Sequence, residues 1–473
     1  MTIPSANYDV LLIGAGQIGD PLGRALARAG NKTLVIERDQ PGGTCTNRGC
    51  TPTKTLAASA RIAHLVRRAA DFGVLVGGEV TVDFERVLDR KDALVADFRD
   101  ETHEGLENTP NLDFVFGEAR FVGPRTLLVT GRDGTAQRTQ AGRIVLNVGA
   151  RPAVPPVTGL NAVPFLDSTT ILDMDRLPSH LLILGGGYIG LEFGQMFRRF
   201  GSRVTLIEAG AQLLADDEDA DVTGAMADLL RAEGVDVRLG TKAEHAEASA
   251  DGEVRLTVRP KNGSPETLTG SHLLVATGRA PNTDNLGLVA AGIVLDKNGF
   301  ICVNERLETS APGVWAGGEA AGSPGFTHIA YDDFRVLRDQ LLGTGARTTT
   351  DRLVPQTVFT DPQLGRVGLS EKQARAAGHT IRVARVAAHD LARPRETGES
   401  EGFIKAVVDA DTQQILGFAA FCREGGELMG AVTVALMARL PYPVLRDGIF
   451  SHPTLVESLN NLFLALDAPG NTR

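Results

Sequence analysis

The stretch YDVLLIGAGQIGDPLGRALARAGNKTLVIE, Tyr8–Glu37, decides the fold of the first part of the chain. Tyr8–Ile13, apolar apart from Asp9, has the length of a buried strand. Asp20–Ala29 follows as a helix, and Thr33–Ile36 is a second strand that ends at Glu37. A strand, a glycine-rich turn, a helix and a second strand in this order predict a parallel βαβ unit.

The turn in this unit, IGAGQIG, carries three glycines at the spacing of the dinucleotide-binding fingerprint. Gly14 permits the tight turn, Gly16 lets the backbone approach a pyrophosphate, and Gly19 allows the helix to pack closely on the strand. The helix dipole favours phosphates at the same place. Glu37 follows by about twenty residues, where the fingerprint places an acceptor for ribose hydroxyls. The glycines alone do not distinguish FAD from NAD.

The same pattern recurs in LLILGGGYIGLEFGQMFRRFGSRVTLIE, Leu181–Glu208. Its glycines are Gly185, Gly187 and Gly190. A lone glycine motif is weak evidence, but two complete units, each with a strand, a helix and an acidic end, predict two bound dinucleotides.

Glu208 bears on which nucleotide the second unit holds. A carboxylate there hydrogen-bonds the adenosine ribose and repels a 2′-phosphate, whereas NADP sites usually place an arginine nearby. The next residues, Ala209–Gln212, contain no arginine, so we expect NADH rather than NADPH. The acidic run Asp216–Asp219 is interpreted as a solvated face.

A close cysteine pair lies in GGTCTNRGCTPTK, Gly42–Lys54, with four residues between Cys45 and Cys50. The chain has only four cysteines, so the pair is not part of a disulfide scaffold and indicates catalysis or metal binding. A zinc site needs further Cys or His ligands at suitable spacing, and none follow, so we expect no metal. A helix is predicted over Thr53–Ala70, and its dipole should favour the Cys50 thiolate. Arg48, between the cysteines, either lowers a thiol pKa or points to solvent.

Length and composition limit the alternatives. The chain has 473 residues, enough for about three domains. Its net charge of −10 disfavours a nucleic-acid partner, which would want a basic face. The start lacks the pattern of a signal peptide, and no apolar run approaches the ~20 residues that span a bilayer. We therefore expect a cytoplasmic protein without a membrane partner.

The predicted fold class is α/β, with two dinucleotide-binding Rossmann-like domains and a C-terminal α+β dimerisation domain. Residues 1–152 and 281–350 are predicted to form a discontinuous FAD-binding domain. Residues 153–280 are predicted to form the NAD-binding domain and residues 351–473 the interface domain. From about Leu353 strands such as GFIKAVVD alternate with a helix, Gly426–Ala438, which indicates the separate α+β domain.

These motifs, in this order, resemble the class I flavoprotein disulfide reductases over Tyr8 to Leu464, nearly the whole chain. That family includes lipoamide dehydrogenase, glutathione reductase and mercuric reductase. The resemblance implies FAD at the first glycine turn and the nicotinamide nucleotide at the second. It makes Cys50 the flavin-proximal sulfur and Cys45 the interchange sulfur that meets the acceptor. Lys54 matches the family lysine near flavin N5, with Glu192 as its partner.

A second matching motif, SHPTLVESLNNLF, begins at Ser451. His452 and Glu457 fit the family's His-Pro-Thr-x-x-Glu pattern, in which an imidazole oriented by a carboxylate acts as acid and base. In the family this histidine comes from the other subunit, so the resemblance implies a homodimer with shared active sites. The His452–Pro453 bond is expected to be cis, as in the family.

The resemblance also implies a wider set of cofactor contacts. Those to FAD are Gly43, Thr44, Lys54, Gly117, Gly149, Arg279, Glu319, Phe326, Thr327 and His328. Those to NAD are Ile189 and Gly278, besides the glycines of the second turn and Glu208. Glu319 departs from the family, which has aspartate there to bind the ribityl chain, and this puts flavin affinity or potential in question.

The acceptor is the least determined feature. FTHIAYDDF and TPTKT are more similar to the mercuric-reductase-like branch than to lipoamide dehydrogenase, yet the chain lacks the C-terminal cysteine pair of mercuric reductases. The prediction is an NADH-dependent, FAD-containing reductase of a disulfide, soft metal ion or quinone. Dihydrolipoamide dehydrogenase is the alternative, and a flavin-bound redox sensor is the interpretation from another functional class.

Overall fold

The computed structural model describes residues 7–214 and 218–467. Asp216 and Asp217 of the acidic run lie outside the described residues. Both chain ends also lie outside them, and these are the segments to which the expectations of no leader and no terminal cysteine pair refer. The chain divides into two units. The first comprises the chain up to Leu56, Glu85–Ala153 and Gly278–Arg352; the second comprises Ala57–Phe84, Val154–Thr277 and the chain from Leu353 onward.

The first unit is built around a six-stranded sheet. Asn7–Ile13 pairs in parallel with Thr33–Glu37 on one side and Ala136–Leu146 on the other. The remaining strands are Leu112–Gly123, Thr126–Gly131 and Val314–Ala316, and Ala150–Pro152 pairs separately with Arg279–Pro281. The helices are Gly19–Arg28, Gly43–Arg48, Leu288–Ala291 and Thr327–Leu342, and two more, Cys50–Arg67 and Phe84–Glu107, include the unit boundaries.

The second half of the central strand, Val10–Ile13, is buried on both faces. Val10 and Leu12 pack in one apolar cluster with Leu22 of the following helix, whereas Leu11 and Ile13 pack in the cluster on the opposite face. This explains the continuous apolar run in the sequence, because a parallel strand covered on both sides has no polar face.

The register of the sheet positions the candidate site. Ile13 lies opposite both Ile36 and Leu146, so the three parallel strands end at one edge. The residues that follow them, Gly14, Glu37 and Asn147, therefore meet at that edge, where ligands bind in open α/β sheets.

The second unit has three sheets. Its parallel sheet is ordered His272–Val275, His180–Leu184, Arg203–Ile207 and Asp236–Arg238. A three-stranded antiparallel sheet contains Thr241–Ala248, Val254–Pro260 and Glu266–Gly270. The five-stranded antiparallel sheet is ordered Gln356–Val358, Gln363–Gly368, Ile415–Cys422, Phe403–Asp409 and Ile381–Ala387. The helices are Tyr188–Phe200, Ala220–Ala232, Glu371–Ala376, Ala392–Glu396, Gly425–Met437, Pro443–Arg446 and Ser458–Leu464.

The predicted fold class is confirmed: a mixed sheet with parallel βαβ strands at its centre and a four-stranded parallel sheet are followed by an α+β region. One predicted boundary was wrong. The helix predicted over Thr53–Ala70 begins at Cys50 and ends at Arg67. Pro52 permits the early start, because the first backbone N–H groups of a helix have no intrahelical partner and a missing one costs nothing. Cys50 is therefore the first residue of the helix rather than a residue before it.

Candidate active site

The first glycine turn is held against the sheet edge by close backbone contacts. Gly14 has φ of +100°, and a Cβ added there would lie 2.2 Å from the Asn147 carbonyl oxygen. A Cβ at Gly19 would lie 1.8 Å from the Gly14 carbonyl oxygen. The Gly19 N–H donates to the Asn147 side-chain oxygen at 3.2 Å. The turn requires glycine at both positions because the chain passes too close for any side chain.

Glu37 closes this turn from the end of the second strand. Its two carboxylate oxygens accept from the Ala15 N–H and the Asp39 N–H, each at 2.8 Å. The residue is buried, and burial raises the pKa of Glu37 above its ordinary value although the two backbone donors oppose the shift. A carboxylate in this place can still accept from ribose hydroxyls through its remaining lone pairs.

The cysteine segment packs directly on the first turn. Gly43 has φ of +64°, and a Cβ added to it would lie 2.8 Å from the Gly16 Cα. The Asn47 side-chain nitrogen donates to the carbonyl oxygens of Pro41 and Gly43, at 2.8 and 3.0 Å. These contacts fix the short helix that carries Cys45 against the nucleotide turn.

The two cysteines are present as thiols within hydrogen-bonding reach of each other. Cys45 is half-buried, and Cys50 is exposed at the start of its helix. The hydrogen bond to Cys50, followed by burial, raises the pKa of the Cys45 thiol well above its usual range.

Thr327 is a residue whose contact sequence reasoning missed. It is predicted to touch FAD, and the structure places its hydroxyl oxygen 3.1 Å from the Cys50 sulfur. It is the first residue of the helix Thr327–Leu342, and 277 positions separate it from Cys50. No local pattern could have revealed this contact.

Arg279 and Glu319, both predicted to contact FAD, are joined to each other. The Arg279 Nε donates to Glu319 at 2.7 Å, and a second guanidinium nitrogen donates to the Ala150 carbonyl oxygen at 2.7 Å. The longer side chain at position 319 thus has an arginine partner within its own unit.

Asp333, which was not predicted, is fully buried beside this segment. It accepts from the Gly318 N–H at 2.8 Å and from the Ser323 hydroxyl at 2.7 Å. The acidic pair in AYDDF was the available signal, because a carboxylate buried in a helix needs such donors.

The remaining residues predicted to contact FAD can be placed more briefly. The rings of Phe326 and His328 are stacked with centroids 5.4 Å apart. Gly117 lies in the strand Leu112–Gly123, Thr44 in the helix Gly43–Arg48, and Lys54 in the helix Cys50–Arg67.

These surroundings fit a flavin dinucleotide. The Asn47 side-chain oxygen is buried and has no hydrogen-bond partner among the described residues, so it can accept from a ligand. Gly149 has φ of +64° and open space where a side chain would stand. The helix Gly19–Arg28 directs its amino terminus at the turn, as phosphate binding requires.

The second glycine turn repeats this geometry in the other unit. Glu208 accepts from the Gly186 N–H at 2.7 Å and from the Gly210 N–H at 2.6 Å. A Cβ at Gly190 would lie 2.0 Å from the Gly185 carbonyl oxygen, whereas one at Gly187 would meet no atom within 4 Å. Ile189 lies in the first turn of the helix Tyr188–Phe200, and Gly278, at the start of a first-unit segment, has φ of +119°.

One interpretation at this turn was wrong. Glu218 and Asp219, the described part of the acidic run, do not form a solvated face. Glu218 is buried and pairs with Arg366, and Asp219 pairs with Lys405.

Glu192 and Lys54, predicted as partners, lie in different units, and their pairing stays a prediction. Glu192 is buried in the helix Tyr188–Phe200 and accepts from the Phe359 N–H at 2.9 Å.

His452 and Glu457 form the predicted dyad. The His452 Nδ1 lies 2.9 Å from both Glu457 carboxylate oxygens, and the imidazole is 66% exposed. Because an ionised carboxylate only accepts, Nδ1 carries the proton and Nε2 is the acceptor of the neutral ring. The His452–Pro453 bond is cis, as predicted. The dyad therefore presents a basic nitrogen to the surroundings of its unit.

Two searches of the described residues bear on other functions. No helix among them is long and apolar enough to cross a membrane. No group of three or more His, Cys, Asp or Glu side chains within residues 7–214 and 218–467 is arranged to hold a metal ion.

Comparison with known proteins gives consistent results. Residues 8–333 match the family described as pyridine nucleotide-disulphide oxidoreductase, and residues 354–463 match the dimerisation domain of that family. The probable pyridine nucleotide-disulfide oxidoreductase RclA of Escherichia coli is 39% identical, over 97% of this chain and 99% of that protein. A dihydrolipoyl dehydrogenase of Thermus scotoductus is 36% identical over 96% of both chains.

A mercuric reductase of Lysinibacillus sphaericus is 33% identical, over 98% of this chain and 83% of its own length. Among solved structures, the Cu(II) complex of the HOCl-induced flavoprotein disulfide reductase RclA from Escherichia coli superposes with a TM-score of 0.89. The two sequences are 38% identical, and the match covers 97% of this chain and 99% of the RclA chain.

Proposed function

This chain belongs to the pyridine nucleotide-disulphide oxidoreductases, and we propose that it passes electrons from NADH through FAD to Cys45 and Cys50 and on to an external acceptor. Membership implies a flavin and a nicotinamide nucleotide. The proposal adds the choice of FAD and NADH, the cysteine pair as the exit for electrons, and a soft metal ion, a disulfide or a quinone as acceptor.

One observation carries the proposal. Two thiols in hydrogen-bonding reach of each other are fixed on the same turn that fits a dinucleotide, through the contact of Gly43 with Gly16. A pair of thiols has no structural task at such a place, since it closes no loop that the fold needs to hold. It supplies two electrons and two protons as it forms a disulfide.

The roles of the protein's own groups follow from this. FAD, when bound, accepts a hydride equivalent from the nicotinamide and passes two electrons to the cysteine pair. With a disulfide acceptor, the Cys45 sulfur attacks one acceptor sulfur, a mixed disulfide forms, and the first acceptor thiol leaves with a proton from His452. Cys50 then attacks the Cys45 sulfur, the internal disulfide forms, and the second acceptor thiol leaves with the proton that Cys50 gives up. Thr327 donates to the Cys50 sulfur when that sulfur carries negative charge.

His452 is proposed to act across a homodimer, as the dimerisation domain suggests. Its Nε2 takes the proton of the Cys45 thiol, and Glu457 stabilises the imidazolium that results. A redox sensor would need no such proton shuttle, so the dyad favours an enzyme over that alternative.

Cu(II) is the metal acceptor we propose first. The RclA structure with high similarity to this chain is a Cu(II) complex, and mercuric reductases are also among the relatives. The balance is one dithiol oxidised to a disulfide, two Cu(II) reduced to Cu(I) and two protons released. Dihydrolipoamide is the second candidate, because a dihydrolipoyl dehydrogenase aligns over nearly the full chain. A cytoplasmic location remains part of the proposal.

An acceptor screen with the FAD-loaded dimer tests the proposal. NADH is held constant while Cu(II), Hg(II), oxidised glutathione, lipoamide and quinones are compared, and NAD with dihydrolipoamide is assayed in the reverse direction. Cysteine-dependent turnover of one acceptor class would support an enzyme and identify it. Absence of steady NADH oxidation with every acceptor would contradict the enzyme proposal and favour the sensor.

The same assay tests the nucleotide preference. NADH should exceed NADPH in kcat/KM because Glu208 repels a 2′-phosphate, and each tenfold difference corresponds to about 1.4 kcal/mol. Equal efficiencies would show that Glu208 does not discriminate between the two.

A further inference from the structure

A buried lysine in the second unit lies among three carboxylates. The Lys405 side chain is 3% exposed. Its ammonium is 3.0 Å from Asp219, 2.9 Å from Asp221 and 2.6 Å from Glu371. Burial alone would lower the pKa of Lys405, but the hydrogen bonds to these carboxylates outweigh it and raise the pKa. The ammonium therefore joins elements that are distant in sequence.

The tie holds the start of the helix Ala220–Ala232. Asp219 occupies the N-cap position of that helix, yet its side chain makes no capping hydrogen bond there. Its carboxylate instead accepts from the N–H groups of Glu371 and Lys372, at 3.1 and 3.4 Å, and from Lys405. An N-cap aspartate ordinarily satisfies the free N–H groups of its own helix. Here the Asp219 side chain does not cap its own helix and instead binds residues of the C-terminal region.

A second charged tie lies one residue earlier. Arg366 pairs with Glu218 at 2.8 Å and also donates to the Gln373 side chain at 3.0 Å. Both Arg366 and Lys405 belong to the five-stranded C-terminal sheet, in the strands Gln363–Gly368 and Phe403–Asp409. The two cations thus anchor consecutive residues of the same segment.

The anchored segment is connected to the second glycine turn. The Gln212 side chain donates to the Glu218 carbonyl oxygen at 3.2 Å. The Leu214 N–H donates to the Gly186 carbonyl oxygen at 2.9 Å, and the Gly210 N–H donates to Glu208 at 2.6 Å. Of the described residues that follow Glu208, those up to Leu214 are thus held at the glycine turn, those from Glu218 on are held by the C-terminal sheet, and the Gln212 side chain joins the two parts.

We propose that Lys405 and Arg366 are positioning residues for the adenosine half of the nicotinamide nucleotide. They hold residues 218–221, and through them the segment beside Glu208, in the conformation that receives the ribose. This rests on the proposed binding of NADH at the second turn. It assigns to the C-terminal sheet, whose family match is to dimerisation, a second role in nucleotide affinity.

Binding titrations on the FAD-loaded dimer test this, with NADH and ADP-ribose as probes. Lys405→Met should weaken both ligands by roughly tenfold, the effect of losing about one hydrogen bond to a charged group. The kcat at saturating NADH should change little. Lys405→Arg should recover most of the affinity, and Arg366→Gln should weaken both ligands to a smaller degree.

Lys91→Met is the matched control, since Lys91 is 4% exposed and lies in the first unit. It should lower the Tm as Lys405→Met does and leave both affinities unchanged. Unchanged affinities in Lys405→Met and Arg366→Gln would overturn the inference. If Lys405→Met does not fold, the inference is tested by Arg366→Gln, which should weaken both ligands, and by Lys405→Arg, which should keep most of the affinity. A wild-type protein that binds neither probe would instead refute the proposed function.

Discussion

The two glycine turns have nearly the same geometry and different surroundings. Glu37 accepts two backbone hydrogen bonds of 2.8 Å, and Glu208 accepts two of 2.7 and 2.6 Å. The third glycine of each turn approaches the carbonyl oxygen of the first so closely that a Cβ would lie 1.8 or 2.0 Å from it. At the level of the fingerprint, the two sites are equivalent.

The difference lies at the second glycine of each turn. A Cβ at Gly16 would be 3.1 Å from the Asn147 side chain and 3.7 Å from the Gly43 Cα, whereas one at Gly187 would meet nothing within 4 Å. The first turn is covered by another segment of its own unit, whereas no described residue covers the second glycine of the other turn. A covered turn suits a cofactor that stays bound, and an open turn suits a nucleotide that exchanges at every cycle.

The largest effect should come from the cysteines, which lie beside the first turn. Cys45→Ser and Cys50→Ser should each reduce acceptor turnover to background, while NADH still reduces the flavin. In stopped-flow spectra, Cys45→Ser should show thiolate-to-flavin charge transfer without reductant, and Cys50→Ser should show none. If both variants behave alike, the proximal and interchange sulfurs have been assigned wrongly.

His452→Ala should have the second-largest effect and should again leave NADH binding at the second turn unaffected. Flavin reduction by NADH should remain nearly intact, and acceptor turnover should fall by roughly 10²–10⁴, the contribution of a general acid–base group. Stopped-flow traces at a single NADH concentration separate flavin reduction by NADH from the later transfer of electrons to the acceptor.

A mixed dimer of one Cys50→Ser chain and one His452→Ala chain tests the shared site. If His452 acts across subunits, one site keeps both groups, and about half of the wild-type activity per dimer returns. Confirmed heterodimers as inactive as their parents would reject the shared site.

Two glycine substitutions test the effect of the packing of Gly43 on the first turn. Gly43→Ala places a Cβ 2.8 Å from Gly16 at a φ of +64°, so the bound flavin per chain should fall. Gly187→Ala should keep full flavin and an unchanged Tm but weaken NADH by roughly tenfold, because its methyl group stands where the pyrophosphate approaches. Flavin absorbance and NADH titration measure both. Loss of flavin in Gly187→Ala would contradict the assignment of FAD to the first turn and of the nicotinamide nucleotide to the second.

The smallest effect should come from Thr327→Val. Loss of one hydrogen bond to the Cys50 sulfur, worth about 1 kcal/mol, should lower the ratio of thiolate to thiol at Cys50 roughly fivefold and so reduce the charge-transfer absorbance of the two-electron-reduced protein. Thr327→Ser, which keeps the hydroxyl, should resemble wild type, and NADH affinity should be the same in all three proteins. An unchanged absorbance in Thr327→Val would show that the hydroxyl does not stabilise the thiolate.

The sequence alone determined both glycine turns, the carboxylates that follow them and the close cysteine pair. Each of these depends on residues close together in the chain: a turn and its helix, a strand and the residue that ends it. Such patterns are fixed by backbone geometry over a few residues, so they can be predicted without knowing what packs on them. The cis bond at Pro453 was expected instead from the resemblance to the family.

Tertiary structure alone decided which distant groups meet near each turn. Thr327 reaches Cys50, Asn147 supports Gly19, and Lys405 holds Asp219, over separations of 277, 128 and 186 residues. The buried Glu218 was predicted to be solvated because the arginine that neutralises it lies on a distant strand. These contacts depend on sheet register and on the packing of elements far apart in the chain, since a charge can be buried only where folding brings its partner.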